Sequence, residues 1–199
     1  TTDGCWIAIG DVTGHGLLAG MIMLMIQTAV ATLVKGFPDA TPAQLVCQLN
    51  AVINLNIRER LGQTDHATFV MLRYRNGGQF TLAGAHEDLV IYRAAERRCE
   101  RVAQHGIWIG IAENIAAATH DETFSLAPGD LLLLYTDGLI EARSATKEEF
   151  GIERVEQVLS ASASAPVDDI YANLIAAVRA WTPVQQDDIT LVVIRRLQG

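Results

Sequence analysis

Three acidic positions in this 199-residue chain share one setting. Asp11 follows the apolar run CWIAIG, Asp137 follows LLLLYT, and Asp187 with Asp188 opens ITLVVI. Each stands where an apolar strand meets a turn, and strand ends distant in sequence can converge. Carboxylates gathered at one edge of a core repel one another unless a cation neutralises them. An oxygen-only donor set suits a hard divalent ion, Mg²⁺ or Mn²⁺. Cysteine and histidine at zinc spacing are absent from the sequence, which argues against zinc. Two such ions about 4 Å apart can hold a bridging water and clamp a phosphoryl group. Taken singly, Asp-Gly after a strand is an ordinary turn and Asp-Asp before a strand is a solvated pair. The repetition at strand ends is what favours the metal reading.

The residues around these aspartates fit either use. Gly10, Gly14 and Gly138 let backbone approach a crowded site, or simply turn the chain. His15 lies between Gly14 and Gly16. Histidine titrates near neutrality and suits protonation of a leaving oxygen, but capping or packing at the helix start is the plainer expectation. That helix start could itself offer amides to an anion. His86 reads as a structural histidine at a strand end, and His66, His105 and His120 as surface or turn residues.

Half of the residues are hydrophobic and the net charge is −8. The composition is globular, and no basic patch invites nucleic acid. An acidic surface gives anionic substrates no general attraction, so a phosphorylated substrate needs a local positive site. Cys5, Cys47 and Cys99 are scattered and odd in number, as expected of thiols in a reducing, cytoplasmic setting. No signal peptide is visible at Thr1, and the first residue is not Met. Asp3-Gly4 is a hairpin dipeptide with only two residues before it, so a partner strand is expected upstream of an N-terminally truncated chain.

Gly16–Val34 carries no charge, which approaches the length of a membrane span. Gln27, Thr28 and Thr32 within it, and a single basic flank at Lys35, favour instead a fully buried core helix without membrane insertion. Met21, Met23 and Met25 are then core filler. The helix is expected to run to about Lys35, closed by Gly36 and Pro38. A second begins at the cap Thr41 with Pro42 and runs to about Leu61, its stripe formed by Leu45, Leu49, Ile53 and Ile57. HATFVMLRYR, QFTLAGA, LVIYRA and RCERVA read as one antiparallel meander, with Asn76-Gly77-Gly78 as a hairpin turn. DLLLLYT is a further strand, helices follow over about 152–161 and 167–181, and DITLVVIRR closes the sheet set. SASASAP at 160–166 is a loop or frayed helix end. The element order predicts an α+β fold, with two sheets between helical layers.

The motifs carry a family resemblance. IAIGDVTGHGLLAGMIM resembles the GDVSGHG-x-x-A segment of the SpoIIE-like bacterial serine phosphatases, a branch of the PPM (2C-type) metal-dependent phosphatases. TLAGAHEDLVIYR, GIWIGI, LAPGDLLLLYTDGLIEARSATKEEFG and DDITLVVIRR resemble, in order, its NAGH segment, G-x-x-LG turn, TDG-x-x-EA-R stretch and closing DD-x-T strand. The likeness covers essentially the whole chain, as a single domain over 1–199. It implies a four-layer α-β-β-α sandwich with two antiparallel sheets. It also implies a two-ion Mn²⁺ or Mg²⁺ site, with Asp11, Asp137 and Asp187 as catalytic carboxylate ligands. Val12 would bind through its carbonyl, Gly138 and Asp188 would stand behind the ligands, and Asp188 could orient a metal-bound water. The first helix pair would be a regulatory element. Three departures stand out. A further ligand of the family, in a GGD-type segment, would lie before Asp3-Gly4; Ala83 replaces the asparagine of NAGH; and Thr13 replaces serine.

The implied activity is hydrolysis of phosphoserine or phosphothreonine by in-line attack of a metal-held hydroxide. The implied substrate is an anti-sigma-factor antagonist in bacterial partner switching, in a cytoplasmic protein; an upstream regulatory domain and dimer contacts on the first helix stay open. Two alternatives stay open: a catalytically impaired module that keeps the phosphatase shape and binds a signalling partner, and a phosphatase of small molecules.

Overall fold

The computed structural model describes residues 4–185 and 187–197. Asp3 of the expected Asp3-Gly4 turn, and any strand before it, lie outside the described residues. In chain order the elements are β1 (Gly4–Val12), α1 (Leu17–Gly36), α2 (Pro42–Leu55), β2 (Ala67–Arg75), β3 (Gln79–Ala85), β4 (Leu89–Arg93), β5 (Arg98–Val102), β6 (Glu122–Ser125), β7 (Leu131–Tyr135), α3 (Gly151–Ser162), α4 (Val167–Trp181) and β8 (Leu191–Arg195). They form an α+β fold with two four-stranded antiparallel sheets, ordered β1-β2-β3-β6 and β5-β4-β7-β8. The chain divides into two compact units, residues 1–86 with 104–125 and residues 87–103 with 126–199.

In the first unit, α2 starts where side chains satisfy its free amides. The Thr41 hydroxyl accepts the Gln44 amide at 3.3 Å, Gln44 Oε1 accepts the Thr41 amide at 2.9 Å, and Pro42 fills the first helical position. This is a capping box, a device that stabilises a helix start by about 1 kcal/mol. The expected stripe of Leu45, Leu49, Ile53 and Ile57 is fully buried, with Ile22 and Ile26 of α1 and Phe69, Met71 and Ala83 of the sheet. The regular helix ends at Leu55 and continues as one π-helical turn over Asn56–Arg60, so the expected end at Leu61 held for the helical path but not for its type.

The buried-helix reading of α1 is overturned. Only Ile22 and Ile26 are buried, while Leu17 and Leu24 are 83% and 63% exposed. Met21 and Met23 are exposed rather than core filler, whereas Met25 is half-buried and packs against the core as expected. Uniform apolarity gives a helix no face to prefer, so sequence periodicity cannot say how much of it is covered. Among the described residues α1 is the one helix long and apolar enough to cross a membrane, with mean hydropathy 2.1.

The expected single meander is likewise divided. β2 and β3 pair in the first sheet, but β4 and β5 pair in the second. Gly84 has φ +119°, which L side chains rarely adopt, and a Cβ there would lie 2.2 Å from the Phe69 carbonyl oxygen. The chain leaves the first sheet two residues later, at His86, and re-enters its unit at Gln104. The short β6, absent from the sequence expectation, then pairs with β3 and stacks Phe124 on Phe80 at 4.9 Å.

In the second unit, Val90, Tyr92, Leu131, Leu133 and Tyr135 point one way and pack with Val155 and Leu159 of α3 and Ile170, Leu174 and Val178 of α4. The alternate residues Leu89, Ile91, Leu132 and Leu134 are also fully buried, so this sheet is covered on both faces. Asp130, only 2% exposed, is held at the turn into β7. Its carboxylate accepts the amides of Ala94 and Ala127, each at 2.9 Å, and Arg93 at 3.0 Å. Burial alone would raise this carboxyl; the two amides and the guanidinium outweigh it and hold it below its ordinary value.

Two stability results follow. Ile53→Ala should cost about 2–5 kcal/mol in urea unfolding, because a fully buried side chain leaves a cavity. Asp130 has a depressed folded-state pKa, so its contribution is present above the ordinary aspartate pKa of about 4 and is lost as pH falls below it. Asp130→Asn should cost about 2–3 kcal/mol at pH 7, and the gap from wild type should narrow toward pH 3.

Candidate functional site

The β7–β8 ladder brings two of the acidic turns together. Its register pairs Tyr135 with Leu191. Beyond it the Thr136 amide donates to Thr190 O at 3.1 Å, the Thr136 hydroxyl donates to Asp188 O at 3.2 Å, and the Thr190 amide donates back to that hydroxyl at 3.0 Å. Asp137 follows at once and opens a single 3₁₀ turn, Asp137–Leu139. Its carbonyl accepts the amides of Ile140 and Glu141, at 2.9 and 2.8 Å, which fixes the backbone below the carboxylate. Gly138 packs on the 187–188 segment: a Cβ there would lie 2.4 Å from the Asp188 carbonyl oxygen. Glycine is therefore needed at 138 for close approach and not for a positive φ.

Electrostatics mark the same place. Asp137 Oδ1 is buried with no hydrogen-bond partner among the described residues. Buried polar atoms are nearly always paired, so an orphaned carboxylate oxygen demands an explanation. Glu87 is pushed above its ordinary value, first by burial and then by the charges of Asp137, Glu141 and Asp88. The Asp187 carboxylate accepts the Asp188 amide at 2.8 Å, while both residues are exposed. A cavity of about 130 Å³ is lined by Gly138, Glu141, Arg143, Gln185 and Asp187, among others. The donors are hard oxygens and one is desolvated and unpaired, so this half-site fits a divalent cation. Among the described residues, no group of three or more His, Cys, Asp or Glu side chains is arranged to hold a metal ion.

Asp11, Val12 and His15 belong to the first unit. Asp11 and Val12 are the last two residues of β1, opposite Thr68 and Ala67. The Thr13 hydroxyl closes this strand end, donating to His66 O at 2.9 Å and accepting the His66 amide at 3.2 Å. Gly14 and Gly16, with φ of +86° and +87°, turn the chain into α1. His15 is exposed, and the cap of α1 is Gly16 without a side-chain bond, so His15 neither caps nor packs.

Three contributors went unnoticed in the sequence. Glu87 sits among Asp137, Glu141 and Asp88 although nothing but its place after AGAH marks it. Thr68 bonds to the Asp11 backbone and to His86, visible only through strand register. His66, read as a surface or turn residue, stacks on Trp108 of the GIWIG turn at 5.1 Å with the rings 1° from parallel.

Comparison with known proteins accords with this arrangement. The family model for stage II sporulation protein E (SpoIIE) matches residues 1–197. Phosphoserine phosphatase RsbU of Bacillus subtilis is 30% identical over 201 residues, covering 96% of this chain and 55% of RsbU, so the chain spans about half of that relative. The SiaA-PP2C domain of Pseudomonas aeruginosa superposes with a TM-score of 0.81 at 20% identity, over 98% of this chain and 77% of that one. The RsbU and RsbW domains of Rv1364c from Mycobacterium tuberculosis superpose with a TM-score of 0.79 at 23% identity, over 98% and 52%. The structural likenesses show the PP2C-type fold. The family model, matched over nearly the whole chain, establishes that the chain belongs to the SpoIIE family.

Proposed function

We propose that the chain is a metal-dependent phosphatase module that hydrolyses phosphoserine or phosphothreonine on a regulatory protein. The observation that carries this reading is the buried, unpaired Asp137 Oδ1 amid other carboxylates. The proposed ligands, as the family resemblance implies, are the carboxylates of Asp11, Asp137 and Asp187 and the carbonyl of Val12. Two Mn²⁺ or Mg²⁺ ions are the proposed cofactors, as the family resemblance implies. When bound, they would supply a water acidic enough to ionise near neutrality and positive charge for the phosphoryl oxygens.

The chain's own residues do the rest. Thr136 and Gly138 hold the 137 and 187–188 turns in register. The amide of Asp188 fixes one Asp187 oxygen, and the proposed task of the Asp188 carboxylate is to orient a water. His15, exposed at the mouth of a glycine turn, is the proposed proton donor to the leaving serine oxygen. RsbU is a phosphoserine phosphatase by name, and Rv1364c unites RsbU and RsbW domains. Both support a phosphoprotein substrate; our reading makes it of the anti-sigma-factor-antagonist type, in a cytoplasmic protein whose exposed α1 face joins two copies. The competing reading, a binding module without turnover, draws on the lack of a three-member metal group among the described residues.

Mn²⁺ titration with p-nitrophenyl phosphate, then with a phosphorylated anti-sigma-factor antagonist, separates the two. Metal-dependent turnover that Asp137→Asn abolishes supports the enzyme; no turnover on either substrate, or wild-type rates in Asp137→Asn, contradicts it. Gly138→Ala should weaken Mn²⁺ binding at least tenfold, because the added methyl must displace the Asp188 carbonyl. Its cost in stability should be about 1–3 kcal/mol by overpacking.

A further inference from the structure

Cross-strand register places three polar residues in one row. Asp11 on β1 opposes Thr68 on β2. His86 stands one step past the Phe69–Ala85 pair of β2 and β3, so it opposes Thr68 from the other side. Side chains directly opposed across antiparallel strands share a face. Trp6, Val12, Phe69, Met71 and Ala83 pack toward the helices, so the Asp11–Thr68–His86 row lies on the opposite face.

The row is bonded through one hydroxyl. The Asp11 amide donates to Thr68 Oγ1 at 3.1 Å, Thr68 Oγ1 donates to the Asp11 carbonyl at 3.3 Å, and His86 Nδ1 lies 2.8 Å from the same Oγ1. A threonine hydroxyl has one proton and two acceptor sites. If its proton goes to Asp11 O, both acceptor sites are filled, one by the Asp11 amide and one by His86. That assignment requires His86 to carry its proton on Nδ1. The opposite tautomer would take the Thr68 proton for itself and release Asp11 O from the hydroxyl. The Gln104 side-chain oxygen accepts the His86 amide at 3.1 Å, so the imidazole is anchored at its own backbone.

We propose that His86 is a positioning residue: its Nδ1–H, acting through the Thr68 hydroxyl, fixes the Asp11 backbone and with it the Asp11 carboxylate and the adjoining Val12 carbonyl. The inference rests on the proposed metal role of Asp11, and it gives His86 a task beyond closing a strand. Outer partners of metal ligands typically change affinity by 10–100-fold when removed.

The experiment combines Mn²⁺ titration calorimetry with ¹⁵N NMR of the histidine ring and the Asp11 amide, on wild type, Thr68→Val, His86→Ala, His86→Asn and the His86→Ala/Thr68→Val double variant. Wild-type His86 should be the Nδ1–H tautomer, and Thr68→Val should shift the Asp11 amide. His86→Ala and Thr68→Val should each weaken Mn²⁺ binding about tenfold or more, while His86→Asn, whose amide can donate to the hydroxyl, stays within about threefold of wild type. The double variant should be no weaker than Thr68→Val alone, because both changes cut one relay. An Nε2–H tautomer, His86→Ala binding within twofold of wild type, His86→Asn as defective as His86→Ala, or additive losses overturns the proposal. If wild type binds no Mn²⁺, the functional reading fails, and the relay is judged by the tautomer and the Asp11 shift alone.

Discussion

The proposed site depends on one carboxylate oxygen, Asp137 Oδ1, taken out of water with no hydrogen-bond partner among the described residues. Desolvating an ionised oxygen costs several kcal/mol unless charge or hydrogen bonds compensate. Asp130, in the same unit, shows the usual solution: two amides and an arginine surround it, and its carboxyl is driven down. Asp137 is built differently. The amides of the turn after it bond to its backbone carbonyl, leaving the buried Oδ1 unpaired. Acidic neighbours surround it, and Glu87 among them is raised by burial first and by the charges of Asp137, Glu141 and Asp88 second. The contrast between the fully satisfied Asp130 and the open Asp137 Oδ1 is what favours the proposed cation there.

The two units share a construction. A four-stranded antiparallel sheet buries one face under two helices and projects its acidic residue from a strand end. In the second unit the Thr136 hydroxyl bonds across to the 188–190 backbone. In the first, the Thr68 hydroxyl bonds across to the Asp11 backbone. Threonine suits both places because one hydroxyl can donate and accept at once, and its branched carbon favours a strand. The ladders bring the residues near, and the hydroxyls set the final geometry.

Much of this was legible in the sequence because it follows from local rules. The α2 cap at Thr41, the stripe from Leu45 to Ile57 and the limits of α4 are local signals, and the structure reproduces them. The acidic strand ends were visible as a repeated pattern, and the β7–β8 ladder sets the Asp137 turn against the 187–188 segment. What was not legible is non-local. The meander divides after β3 because strand partners are chosen by pairing across the fold, with β3 on β2 and β4 on β5 and β7, and not by local strand signals. Helix α1 is exposed although its composition suits a core, since composition carries no information about what covers it. Thr68 and Glu87 acquire their roles only from the strands and turns that face them.

The central claim is that the Asp137 carboxylate is a metal ligand. Its most direct measurement is a crystal structure of the protein grown with Mn²⁺, with anomalous scattering to locate the ion. A manganese peak at coordination distance, about 2.1 Å, from an Asp137 carboxylate oxygen is the expected result. Clear density in which Asp137 Oδ1 bonds only to protein or water, with manganese absent from the turn, would contradict it.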